Sequence, residues 1–174
     1  MNYFENERNL YWAKVNPNAI IPSKDDENAG YDIYACFDDD FILINPHETK
    51  LVPTGIAWAC SENFYLQIEE RSSTGSKGIK KSAGVIDSGY RGEIKIAITN
   101  SRNNPLIISK LDESELFEKY DSLNKNSLFY PYKKAVAQGI VHRVEKMNER
   151  ELSFEELSLI SSKRKDGGFG SSGK

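Results

Sequence analysis

The chain has 174 residues, with 23 Lys plus Arg against 26 Asp plus Glu and a formal net charge of -3. That length supports one sizeable core with a tail, and the mixed, slightly acidic charge leaves no basic footprint for a nucleic-acid partner. Two cysteines, Cys36 and Cys60, without C-x-x-C spacing and two isolated histidines, His47 and His142, argue against a disulfide framework, a protein-built zinc centre or a Cys/His nucleophile pair.

At the start, "MNYFENERNLYWAKVNPNAI" lacks the basic head and apolar run of a signal peptide, and nowhere do 18 apolar residues follow one another. The expectation is a soluble, cytoplasmic protein with no membrane partner. "AGYDIYA" (29–35) then sets Asp32 among small and aromatic residues. Short apolar runs follow: "FILIN" (41–45), "KLVPTGIAWA" (50–59), "FYLQIE" (64–69), "GEIKIAITN" (92–100) and "PLIIS" (105–109). Runs this short, bounded by turn residues and rich in Ile, Val, Phe and Tyr, predict an all-β sandwich or barrel. Between 93 and 99, Ile94, Ile96 and Ile98 share the core face, and Glu93, Lys95, Ala97 and Thr99 the other.

Between those runs lie two stretches of mixed chemistry. "ERSSTGSKGI" (70–79) reads either as a plain loop or as an anion cradle, in which freed backbone N–H groups, the Ser72 and Ser73 hydroxyls and the Arg71 fork suit phosphate oxygens. It lacks the P-loop spacing. "GVIDSGYRGEIKIAI" (84–98) crowds Asp87, Gly89, Tyr90 and Gly92 at the mouth of a strictly alternating strand. Residues 111–132 break the β rhythm: Leu111, Leu116, Phe117, Tyr120 and Leu123 fall near helical spacing behind Asp112 and Glu113, which predicts a short helix or insertion. "AVAQGIVHRV" (135–144) returns to strand character, and from about 146 the chain is polar. It ends in "RKDGGFGSSGK", too poor in apolar surface to build a core and therefore expected to be flexible until something orders it. The expected organisation is a β domain over 1–146, with an insert at about 111–132, and a flexible linker and arm over 147–174.

Taken together and in this order, "AGYDIYA", "ERSSTGS", "AGVIDSGYRGE", "AVAQG" and the terminal R-x-x-x-G-F-G-S-S-G closely resemble the five signature motifs of the trimeric dUTP pyrophosphatases, the dUTPases, across essentially the whole chain. The resemblance implies a jelly-roll-like β-barrel or sandwich assembled as a homotrimer. Each of its three active sites would draw on all three subunits, and the C-terminal arm would cross to close a neighbour's site. The implied reaction is hydrolysis of dUTP to dUMP and pyrophosphate, by water that Asp87 orients and deprotonates for attack on the α-phosphorus. The turn 84–92 would be a hairpin whose backbone at Gly84, Val85 and Ile86 reads the uracil edge, with Lys95 on the same binding surface. Tyr90 would lie flat on the deoxyribose and leave no room for a 2′-hydroxyl. Arg71, Ser72, Ser73 and Gln138 would hold phosphates. Arg164, Ser171, Ser172 and the Gly170 amide would close over the outer phosphates while Phe169 stacks on uracil. Mg²⁺ is expected on the triphosphate, meeting Asp32 only through water.

Several positions depart from the family pattern. Lys133, Lys134 and Ala135 stand where a glycine, an acid and a basic residue usually open the fourth motif, Lys81 where an Asn is often found, and Lys165 where a glycine often follows the arginine. The 111–132 stretch exceeds the usual connection, as in some phage members. The sister dCTP deaminases share the fold but use a glutamate ten residues beyond the aspartate, where this chain has Ala97, so deamination lacks its general acid/base. A third possibility is a dUTPase-fold regulatory protein that engages a protein partner through the insert.

Overall fold

The structure, a computed structural model, describes residues 6–163. Residues 6–144 form a β domain in which alternating side chains point into one core. In chain order the strands are β1 (Tyr11–Lys14), β2 (Tyr31–Ile33), β3 (Phe41–Ile44), β4 (Thr49–Pro53), β5 (Ile56–Ala59) and β6 (Phe64–Glu69), then β7 (Ile79–Lys81), β8 (Val85–Ile86), β9 (Lys95–Asn100), β10 (Leu106–Ser109), β11 (Leu128–Pro131) and β12 (Ala137–Arg143). The helical segments are α1 (Ser72–Gly75), α2 (Glu113–Lys119) and, in the segment 145–163, α3 (Phe154–Ser158). The strands form four small sheets, ordered β1-β5, β11-β10-β3, β2-β12-β6-β8 and β4-β9-β7. All pairs are antiparallel except β10 with β11. Each sheet sends residues into the same cluster, among them Trp58, Leu106, Leu66 and Ile96, so the layers close on one another as a jelly-roll-like sandwich. Among the described residues no helix is long and apolar enough to cross a membrane.

The core face along 94–98 is as the sequence predicts, with Ile94, Ile96 and Ile98 buried and Lys95 exposed, but Ala97, expected on the open face, is buried as well. Three features differ from the sequence reading. The run 50–59 is two strands in two sheets, because Gly55 takes φ 65 between them, and a Cβ there would come within 2.9 Å of the side chains of Ala19 and Asn16. The turn 84–92, expected as a hairpin, does not join two strands paired with each other: β8 pairs with β6 while the next strand, β9, pairs with β4 and β7, so the turn crosses from one sheet to another. Local alternation predicts a strand but not its neighbour. The 111–132 stretch is helical only over α2, and its end is β11, whose Tyr130 is buried in the core. Outside the β domain, α3 starts where Ser153 and Glu156 form a reciprocal capping box, a signal readable in "SFEE".

The insert is held at its helix. Leu116 is fully buried, Lys119 Nζ lies 2.7 Å from Asp40 Oδ2, the Tyr120 hydroxyl donates to the same oxygen at 2.8 Å, and the Tyr120 ring meets Phe41 edge-on. The hydrogen bonds from Lys119 and Tyr120 hold the Asp40 carboxyl below its ordinary value, and the bond to Asp40 raises Lys119. A depressed carboxyl stabilises the fold above its unfolded pKa and loses that contribution as pH falls through the folded one; a raised amine stabilises below its unfolded pKa. Asp40→Asn should therefore lower Tm near neutral pH, and the difference from the parent should vanish on acidification through the carboxylate range. A gap that persists in acid would show that the ion pair does not anchor the insert.

Candidate active site

Three of the sequence motifs meet at one end of the β2-β12-β6-β8 sheet. Gln138 on β12 faces Asp32 on β2 and Glu69 on β6, and the chain leaves β6 directly into Glu70 and Arg71. The result is a polar cleft of about 370 Å³ lined by Asn28, Ala29, Gly30, Asp32, Arg71, Ser72, Ser73 and Gln138. Arg71 clamps Asp32 with Nε at 2.9 Å from Oδ1 and Nη2 at 3.3 Å from Oδ2, and Nη1 reaches the Ala135 carbonyl at 3.5 Å. A guanidinium has five N–H groups, so this fixed fork retains donors for an anion. Gln138 donates to the Glu70 carbonyl at 2.8 Å. Gly30 lets the Gln138 side chain lie close over the backbone, since an added Cβ would push the Gln138 amide out of this position.

The stretch 72–75 is a single helical turn, not a plain loop. Thr74, almost fully buried, accepts from the Arg71 N–H at 3.0 Å and donates back to the Arg71 carbonyl at 2.9 Å, leaving Ser72 and Ser73 exposed toward the cleft. Behind it, the Tyr130 hydroxyl donates to the Ala135 carbonyl at 2.7 Å; burial pushes this phenol above its ordinary value, which keeps it a donor. The turn through Lys133 and Lys134 closes without glycine, by a bond from the Lys134 N–H to the Pro131 carbonyl at 3.0 Å.

A second cleft of about 360 Å³ is lined by Leu51, Val85, Ile86, Asp87, Tyr90, Glu93, Ile94 and Lys95. The Gly84 carbonyl accepts from the Ile68 N–H at 2.7 Å, and a Cβ on Gly84 would come within 2.8 Å of the Ile68 oxygen. A glycine is what lets these backbones approach. Asp87 and Tyr90 close a turn through the Tyr90 N–H and the Asp87 carbonyl at 3.1 Å, and the Arg91 guanidinium donates to the Ser88 carbonyl. The Asp87 side chain is exposed. The Tyr90 ring lies over Gly92, where a Cβ would come within 2.5 Å of its hydroxyl oxygen, and that hydroxyl donates to the Glu93 carbonyl at 2.9 Å. The turn thus presents a carboxylate beside a fixed aromatic face. Lys95 sits at the rim, 3.8 Å from Glu93. Lys81 is turned to Glu69 at 3.4 Å.

The two clefts share no lining residue. On β6, Ile86 is opposite Leu66, and Arg71 lies five residues farther along, a separation of roughly 16 Å at strand rise. One chain therefore presents a donor-rich cleft around Arg71 and an acid-bearing cleft around Asp87, apart from each other. Arg164, Phe169, Gly170, Ser171 and Ser172 lie outside the described residues. Sequence reasoning missed Glu70, Thr74, Tyr130 and Glu93. Only Thr74 carried a signal, a hydroxyl placed three residues after the helix boundary.

Comparison with known proteins bears on both halves. A family model for dUTPase matches residues 16–113. The chain is 32% identical over 167 residues to the deoxyuridine 5'-triphosphate nucleotidohydrolase of Mycolicibacterium gilvum, covering 92% of each chain. It is 34% identical over 151 residues to the protein of that name from Wolbachia pipientis subsp. Culex pipiens, covering 85% of this chain and 82% of the other. Among solved structures it is similar to a mutant dUTPase of Staphylococcus bacteriophage 80alpha with dUpNHpp, at TM-score 0.71 and 20% identity over 96% of this chain and 99% of that one. A mutant dUTPase of phage phi11 of S. aureus, described for its coordination of a structural Mg(II) ion, matches at TM-score 0.65 and 19% identity over 83% of this chain and 97% of that one.

Proposed function

The chain belongs to the dUTPase family, and from that membership we infer how its own residues divide the work. It is a dUTP diphosphatase, hydrolysing dUTP to dUMP and pyrophosphate, which lowers dUTP and supplies dUMP. The observation that carries the assignment of roles is the pair of clefts: one gathers Arg71, Ser72, Ser73 and Gln138, the other sets Asp87 beside the Tyr90 ring.

In this reading the backbone at Gly84, Val85 and Ile86 contacts the uracil edge, and Tyr90 supports the deoxyribose. A ring pinned over Gly92 rejects a 2′-hydroxyl by clash. Lys95 adds positive charge at the rim. Asp87 takes a proton from water as the water oxygen bonds to the α-phosphorus and the bond to the α,β-bridging oxygen breaks, releasing pyrophosphate. Arg71, Ser72, Ser73 and Gln138 hold phosphate oxygens, and fixed donors of this kind stabilise charge without reorganising. Arg164, Ser171, Ser172, Gly170 and Phe169 are assigned to the closing arm. Residues 1–146 are read as the β domain and 147–174 as a linker and C-terminal arm, of which 164–174 lie outside the described residues.

Among the described residues, no three or more His, Cys, Asp or Glu side chains converge on a metal position, and Asp32 is already paired with Arg71. That donor set fits Mg²⁺ carried on the triphosphate, with Asp32 reaching it through water. The bound ion would neutralise phosphate charge. A homotrimer is proposed because only assembly can join the two clefts, and the exposed Leu51 and Val85 at the acid-bearing cleft favour a covered surface. The insert, with Glu113, Glu115 and Glu118 exposed on α2, is the surface proposed for a protein regulator. The reaction is proposed to take place in the cytoplasm. Deamination of dCTP is not favoured: Ala97, on β9 opposite Leu51, supplies no carboxylate.

The test is a substrate panel. Pyrophosphate should be released from dUTP, with dCTP, dTTP and UTP turned over poorly, and chelation should stop the reaction until Mg²⁺ is restored. Ammonia released from dCTP would overturn the assignment.

A further inference from the structure

Glu93 contacts two residues of the acid-bearing cleft, Tyr90 and Lys95, and also reaches out of it to the turn at Gly55. Its carbonyl receives the Tyr90 hydroxyl at 2.9 Å. Its carboxylate oxygen Oε1 accepts from the Gly55 N–H at 2.8 Å, and its Oε2 lies 3.8 Å from Lys95 Nζ. The next residue, Ile94, is fixed to the same turn twice: its N–H donates to the Ile56 carbonyl at 2.8 Å, and its carbonyl accepts from the Thr54 hydroxyl at 2.5 Å. Thr54 is buried, and Gly55, at φ 65, in turn receives the Val15 and Asn16 N–H groups on its carbonyl. The turn at Thr54–Ile56 is thus tied to residues 93 and 94 by two bonds to the Ile94 backbone and by one side-chain contact, the partly buried Glu93 carboxylate, and the Glu93 backbone in turn holds the ring proposed to discriminate the sugar.

We propose that Glu93 is a positioning residue for sugar selectivity: by clamping the Gly55 turn it fixes the height of the Tyr90 ring and the direction of Lys95. A 2′-hydroxyl is excluded only if the ring cannot yield, and a ring held by its own hydroxyl to a backbone carbonyl is as firm as that carbonyl. The Gly55 N–H needs an acceptor, not a charge, so an amide can replace the carboxylate at this contact, whereas a methyl group cannot. This inference rests on the reading of Tyr90 as the sugar-facing residue.

The experiment compares kcat/KM for dUTP and for UTP in the parent, Glu93→Gln, Glu93→Ala and Tyr90→Ala, with Tm measured for each. Glu93→Ala should lower the dUTP/UTP ratio tenfold or more, chiefly by improving UTP and raising the KM for dUTP, and Glu93→Gln should restore the ratio to within threefold of the parent. A Glu93→Ala protein that loses Tm but keeps the parental ratio would make the clamp purely structural and overturn the proposal. So would a Glu93→Gln protein as unselective as Glu93→Ala. If Glu93→Ala does not fold, the decision passes to Tyr90→Phe, which removes the hydroxyl anchor and keeps the ring: it should lower the ratio in the same direction, and an unchanged ratio overturns the proposal. Tyr90→Ala separates the two levels. If it leaves the ratio unchanged, the reading of Tyr90 itself fails; if it shifts the ratio and Glu93→Ala does not, only the clamp fails.

Discussion

Asp87→Asn is expected to lose between roughly 10² and 10⁴ in kcat, the range a positioned general base contributes, while a non-hydrolysable dUTP analogue still binds within a few-fold of the parent. The substitution keeps the size and the turn, since the closing bond of that turn runs from the Tyr90 N–H to the Asp87 backbone carbonyl, not to the side chain. What it removes is an exposed carboxylate that can take a proton. Single-turnover kinetics together with equilibrium binding separate the two effects. A loss of turnover under tenfold would mean that water is activated elsewhere, and a parallel loss of binding would make Asp87 a contact residue instead of a base.

Mixing two dead proteins should make a live one. Arg71→Ala removes the centre of the anion-binding cleft and Asp87→Asn the base of the other, so each homo-oligomer should be inactive, by roughly 10²-fold or more for loss of a phosphate donor. Asp87 is exposed, so its change leaves the fold alone; Arg71 is about one-third exposed and paired with Asp32, so Tm of the Arg71→Ala protein is measured alongside to show that it folds. If a site takes Asp87 from one protomer and Arg71 from the next, co-refolding equal amounts should leave about a quarter of the sites with both parts intact, since each half is supplied independently around a closed ring. Activity near that fraction, with the parent dUTP/UTP ratio, is the expected result. Recovery at background level would place both residues in one protomer's site and contradict the separation of the two clefts.

The residue types of this site are legible one by one. The Ser-rich run after Arg71, the Asp87-to-Tyr90 turn and the Gln138 strand each carry a local chemical signature, because phosphate needs donors, water needs a base and a close backbone approach needs glycine. Strand positions were legible for the same reason, a period of 2 in the apolar residues, and the burial of Ile94, Ile96 and Ile98 follows from it. The supporting residues were not. Glu70 acts through its backbone carbonyl, Tyr130 through a hydroxyl buried behind the cleft and Glu93 through the turn at Gly55, 38 residues away in sequence. No local pattern records such contacts.

By itself, then, the sequence determined the strand character of the runs at 41–45, 50–59, 64–69, 92–100, 105–109 and 135–144, and which side chains have the chemistry suited to phosphate or water, since these depend on residue type and near neighbours; β1 and β11 carried no such signal. Only the tertiary structure decided how strands pair: that Gly55 sends β4 and β5 into different sheets, that β8 and β9 part company after the Asp87 turn, and that β11 emerges from the predicted insert to lie parallel to β10. Pairing is a choice among distant partners with similar backbone hydrogen bonds, settled by which arrangement buries all the apolar faces at once. The same choice set Asp32, Arg71 and Gln138 together while leaving Asp87 in a separate cleft, the separation on which the proposed assembly rests.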